Sequence, residues 1–171
     1  YTTLFRSIIR EIQVGNGPFE IVISRDSLTA CVTNQRTSGI SIINLATNAV
    51  RTIAFGNGVA KLALHPTDSR LFLTNSHSNY YFVIPVLNIS SFSFTTPYNH
   101  GYSTYAICLN PSGSRMFVGQ RSGGTTAAFW SYNTVSNVFL GGHAGTPNPR
   151  ALTTNPQGTA VFATGNATER F

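Results

Sequence analysis

The chain has 171 residues, of which only 9% are charged, and its 11 Lys and Arg against 5 Asp and Glu leave a formal charge of +6. That length suits one domain with its own core, and a low charge density with abundant Ser, Thr, Asn and Gly is the composition of a secreted or surface-exposed β protein. The basic residues are scattered singly, which excludes the polybasic pattern of a nucleic-acid or membrane-surface binder, and no stretch approaches the ~20 apolar residues of a spanning helix.

The chain opens on Tyr1 rather than Met, as a processed product, a fragment or part of something longer would. Tyr1 to Ser7 and Ile9 to Val14 read as two strands. From Gly17 to Gly56 the chain then gives a complete four-stranded unit by period-two alternation and turn chemistry. Strand A is Phe19 to Ser24, strand B Leu28 to Thr33, strand C Gly39 to Leu45 and strand D Ala49 to Phe55. The same unit recurs. Its A strands and turns reappear as Ala60 to Asp68, Thr104 to Gly113 and Pro149 to Gly158, and the turn residues Asp26, Asp68, Gly113 and Gly158 lie 42 to 45 residues apart. B strands end at Asn34, Asn75, Gln120 and Gly165. Further C strands are Tyr80 to Val86 and Thr125 to Tyr132, and further D strands Ser91 to Thr96 and Ser136 to Leu140. The last unit supplies only strands A and B, whereas Tyr1 to Val14 fit strands C and D.

A four-stranded antiparallel repeat of ~40 to 45 residues has the period of a β-propeller blade. The expected fold is all-β, one propeller domain with blades 17–56, 58–99 and 101–142 and a fourth blade split between 145–171 and 1–15. Pairing of the halves within one chain would seal a four-bladed ring. Pairing between chains would build a larger one, and an assembly, most simply a homodimer, is the expectation.

The stretches Cys31-Val32-Thr33-Asn34, Ile42-Ile43-Asn44-Leu45-Ala46-Thr47-Asn48-Ala49-Val50 and Phe72-Leu73-Thr74-Asn75 resemble the YVTN family of β-propeller repeats. The resemblance implies the propeller fold. It leaves function open, since the family includes surface proteins, cell-wall-associated proteins and some enzymes.

In such a fold the D-to-A and B-to-C loops share one face. The D-to-A loops place Asn16, Asn57, His100 and His143 at matching points, and a ring of two amides and two imidazoles could bind an anion, sugar or metal at the channel mouth. The plainer reading is that Asn and His tolerate the left-handed conformation of a glycine turn. Arg36 and Arg121, in B-to-C loops, would add positive potential there. His77 joins that face and His65 the opposite one. The four histidines lack metal-ligand spacing, so no metal site is expected.

Asp26 and Asp68 occupy matching turn positions, where carboxylates cap backbone amides. No nucleophile elbow, phosphate loop or dinucleotide fingerprint appears. No catalytic residue and no cofactor are therefore expected. Cys31 and Cys108 read as buried thiols on separate repeats. Tyr98 and Tyr102 flank a polar loop suited to a protein or carbohydrate surface. The reading is thus an extracellular or cell-surface binding scaffold, with a ligand-binding or hydrolytic channel mouth as the alternative.

Overall fold

The computed structural model describes residues 10–37, 39–55, 59–75, 83–99, 101, 104–120, 129–144 and 148–165. Among them the chain is entirely strand and turn, and the strands form a β-propeller arc. The first blade is β1 (Pro18–Ile23), β2 (Thr29–Asn34), β3 (Gly39–Asn44) and β4 (Val50–Ala54). The second is β5 (Val59–Leu64), β6 (Arg70–Asn75), β7 (Val83–Asn88) and β8 (Ser93–Asn99). The third is β9 (Thr104–Leu109), β10 (Arg115–Gln120), β11 (Phe129–Asn133) and β12 (Phe139–His143). Each is an antiparallel meander in sequence order, and a two-stranded sheet of β13 (Pro149–Thr154) and β14 (Val161–Gly165) follows.

Alternation builds the blades. On one face of blade one, Val22, Cys31 and Ile42 lie opposite one another across the ladder, and on the other face Ile23, Ala30 and Ile43 do. The first of these faces stacks on the next blade; the second is covered by Ile12 and Val14 over Ala30 and Ile43, while Ile23 stays exposed. Blade one contributes Cys31, Ile40 and Ile42 to a core completed by Leu62, Leu71 and Leu73 of blade two. Phe72 and Val86 of blade two meet Ile107, Met116 and Val118 of blade three. Phe117 and Ala106 of blade three meet Leu152 of the last sheet. Both cysteines are free: Cys31 fills the first of these seams and Cys108 borders the third.

Two hairpin arms begin later than the sequence spacing predicts. The expected strand from Ser91 is β8, starting at Ser93, and that from Ser136 is β12, starting at Phe139. The reason is a repeated turn. Asn44, Asn88 and Asn133 each accept, on the side-chain oxygen, the backbone N–H groups two and three residues on. Each such turn then passes through a left-handed residue, Asn48, Phe92 or Asn137. These turns take up residues that alternation alone would give to a strand.

Residues 10–14 form no strand, although Ile12 and Val14 pack on Ala30, Val32 and Ile43 of blade one. Residues 1–9 and 166–171, where part of the split blade is expected, lie outside the described residues.

Candidate functional site

The two ends of the blades are built differently, and each offers surface loops. At the first end the D-to-A turn and the B-to-C loop lie together. Gln35 donates its backbone N–H to the Gly17 carbonyl at 2.8 Å, and Arg36 donates to the Asn16 carbonyl at 3.2 Å. The expected neighbours Asn16 and Arg36 are thus brought side by side, both exposed. Beneath them Asn34 is fully buried. Its amide nitrogen donates to Ser41 Oγ at 2.9 Å, while its side-chain oxygen has no partner. Gly15 must be glycine here, since a Cβ would stand 2.7 Å from Asn34 Cγ and Thr37 Oγ1.

His143 ends β12 instead of lying in the D-to-A loop, because β12 starts late and runs further. Its Nε2 is 2.9 Å from Ser131 Oγ, and its ring stacks on Phe129 with centroids 4.9 Å apart. Asn57, His100 and Arg121 lie outside the described residues, as do His77 and Tyr102.

The opposite end carries the A-to-B turns. Asp26 caps its turn, accepting from Leu28 N–H at 3.0 Å and Ser24 Oγ at 2.5 Å. Asp68 accepts from Arg70 N–H and Arg70 Nε, both at 2.9 Å. A groove of about 470 Å³ opens between these two turns, lined by Ser24, Arg25, Asp26, His65, Thr67 and Asp68 among others.

His65 is buried at the groove's edge, with Nδ1 3.2 Å from the Asp68 N–H that it accepts. Burial holds its pKa below the ordinary imidazole value; the Asp68 carboxylate opposes that effect, Arg70 adds to it, and a ring bond to the Gly113 backbone opposes it. Arg70 also donates through Nη1 to the Thr134 carbonyl of blade three at 2.6 Å. Spacing in sequence could not reveal this cluster, since its partners Gly113 and Thr134 come from a different repeat.

Between the two ends, each A strand carries a bulge opposite the close of its B strand. Thr33 and Thr74, the threonines of the family-like Thr-Asn pairs, cap it: Thr33 Oγ1 accepts from Glu20 N–H and Thr74 Oγ1 from Lys61 N–H, both at 3.0 Å. Bulge side chains then bridge blades. Glu20 accepts from Leu62 N–H at 2.6 Å and pairs with Lys61 at 3.1 Å. Arg150 lies over the Tyr105 ring at 5.1 Å.

Among the described residues no three of His, Cys, Asp and Glu converge as a metal ion would require, and no helix is long and apolar enough to cross a membrane.

No protein-family profile matches the chain, and no curated protein matches it in sequence. Solved structures do match in shape. Hydrazine synthase of Kuenenia stuttgartiensis superposes with a TM-score of 0.78 at 19% identity, over 96% of this chain and 47% of that one. The WD40 repeats of RRP9 give 0.67 at 12% identity, over 85% and 44%. An auxiliary nutrient binding protein of Bacteroides thetaiotaomicron gives 0.71 at 10% identity, over 88% and 36%. At such identities the likeness is one of fold, and it establishes the β-propeller. The chain spans less than half the length of each of these structures.

Proposed function

We propose that the chain is a non-enzymatic binding module, an extracellular or cell-surface propeller that holds a protein or carbohydrate partner and works as an assembly of copies. What supports the reading is where four reactive side chains among the described residues are used. Asp26 and Asp68 cap turns, Glu20 ties two blades together, and His65 closes a turn against the next blade. These groups are engaged in architecture, whereas catalysis needs them free to face a substrate. The loops, by contrast, offer exposed polar surface at both ends of the blades, and loops on a rigid scaffold are where binding residues collect. One of the fold neighbours is itself described as a nutrient-binding protein.

A second reading keeps a ligand site at the channel mouth, possible because Asn16 and Arg36 meet there beside the unpartnered oxygen of Asn34. One experiment separates the two. The intact chain is immobilised and probed with neutral and acidic oligosaccharides and a peptide library, with ester and glycoside substrates assayed in parallel. Saturable binding without turnover supports the module. Turnover lost in Arg36→Ala or His143→Ala would replace it by a hydrolytic mouth.

A further inference from the structure

Every seam between blades is made by the same positions. On the leading side a B-strand residue faces the next blade: Cys31, Phe72 and Phe117, with exposures of 0%, 0% and 5%. On the trailing side an A-strand aliphatic receives it: Leu62, Ile107 and Leu152, at 4%, 7% and 8%. The ladders fix this equivalence, since Cys31, Phe72, Phe117 and Phe162 pair with Val22, Ala63, Cys108 and Thr153 in turn. Two positions of the series are left unfilled. Phe162, the next leading residue, is 58% exposed, and Ile21 and Ile23, the first trailing residues, are 58% and 56% exposed. These are the two halves of one further seam, on the last sheet and on the first blade of the same chain.

We infer that a second copy of this chain completes that seam, the β13–β14 sheet of one copy seating on β1 of the other, twice over, so that two arcs close one ring. The inference rests on the assembly part of the proposed function and names its interface. Three observations select the occupant. Ile12 and Val14 already cover the two middle strands of the first blade's free face, over Ala30, Val32 and Ile43, while Ile21 and Ile23 on β1 stay open. The uncovered part is β1, and in the third seam the A strand is faced by the B strand of the preceding blade, Phe117 against Leu152; β14, with Phe162, is the B strand left to play that part. Second, the ring contacts of the first and third seams put a cation of the following blade over an aromatic of the preceding one, Lys61 over Phe19 and Arg150 over Tyr105, so blade one's joint on its leading side is already made and its trailing side is the one left open. Third, the chain covers 47%, 44% and 36% of the three fold neighbours. A copy repeats every complementary surface, so a contact that forms once can form again and close.

Light scattering on the intact chain tests this across a hundredfold range of micromolar concentrations. The expected mass is about twice 18.5 kDa. Ile21→Asp and Phe162→Asp, both at exposed positions, should each reduce it to one chain with an unchanged far-UV spectrum. Should either variant fold poorly, chains carrying Ile21→Cys and Phe162→Cys are mixed under mild oxidation, and a disulfide-linked pair should form in the mixture and from neither alone. A two-chain mass that ignores both Asp variants, with no cross-link, overturns this interface and leaves the assembly standing. A one-chain mass overturns both, and assigns the open face to a further stretch of polypeptide or to another partner; the oligosaccharide and peptide panel still judges binding separately.

Discussion

Gly113 and His65 show how closely single residues are fitted across a seam. Gly113 sits at φ +76°, and a Cβ there would stand 2.2 Å from His65 Nε2. Gly113→Ala therefore carries a left-handed backbone cost and must also displace a buried ring, and is expected to destabilise by about 2–4 kcal/mol in urea unfolding. Gly158→Ala shares the left-handed backbone, at φ +70°, but its Cβ would stop 3.0 Å from Pro111 Cδ; a loss of about 1–2 kcal/mol is expected. His65 also sets a pH dependence. Its pKa is depressed in the folded chain, chiefly by burial. The unfolded chain therefore takes up the proton first, and stability falls as pH drops below about 6.5 until the folded-state pKa is passed. Burial pushes the Asp68 carboxyl up, but its bonds to Arg70 and the charges of His65 and Arg70 outweigh that and hold it below the ordinary carboxylate value. Its contribution is present above about 3.8 and is lost as pH falls through its folded pKa. His65→Gln should remove the upper limb and keep the lower, as read from urea midpoints between pH 3 and 8.

At the level of elements, the Thr-Asn motif gains a physical meaning. The A-strand bulge leaves a backbone N–H unpaired on the ladder, and the threonine hydroxyl satisfies it. Thr33→Val should cost about 1–2 kcal/mol for that orphaned donor. Thr74 also donates to the Tyr105 carbonyl of the next blade at 3.2 Å, so Thr74→Val should cost about 2–4 kcal/mol at an unchanged denaturant slope. The repeat and the A and B strands were readable from alternation and turn chemistry, because a blade stacked on both faces must keep apolar residues at fixed intervals. The D-strand starts were not, since nothing in alternation announces that Asn88 and Asn133 would draw the next residues into a capped turn. Phe92 was the least readable: a bulky residue at φ 58°, where the equivalent positions hold Asn48 and Asn137, and the guanidinium of Arg51 lies 3.7 Å from its ring centre. His143 shifted from loop to strand for the same reason.

For the whole molecule, Ile21, Leu62 and Thr153 sit on the first strand of their sheets. Strand side chains stand perpendicular to their sheet, so Leu62 faces blade one, while the exposed Ile21, Thr153 and Phe162 mark free faces. The architecture is then a stack of seams, each dominated by one or two large side chains. Phe72→Ala, at the fully buried centre of the second seam, is expected to cost about 3–5 kcal/mol. Because the proposed fourth seam forms between copies, the melting temperature should rise with protein concentration; a value constant across a hundredfold dilution would contradict assembly.

The two cysteines give this stack a built-in readout. Burial pushes both thiols up to about 12, so neither reacts while its seam is shut. Cys31 is sealed within the first seam and Cys108 is half-buried at the third, with none in the second. Thiol-exchange rates in the native protein would therefore time the breathing of two individual joints, with no label added and no residue changed, and Cys108 should be modified well before Cys31.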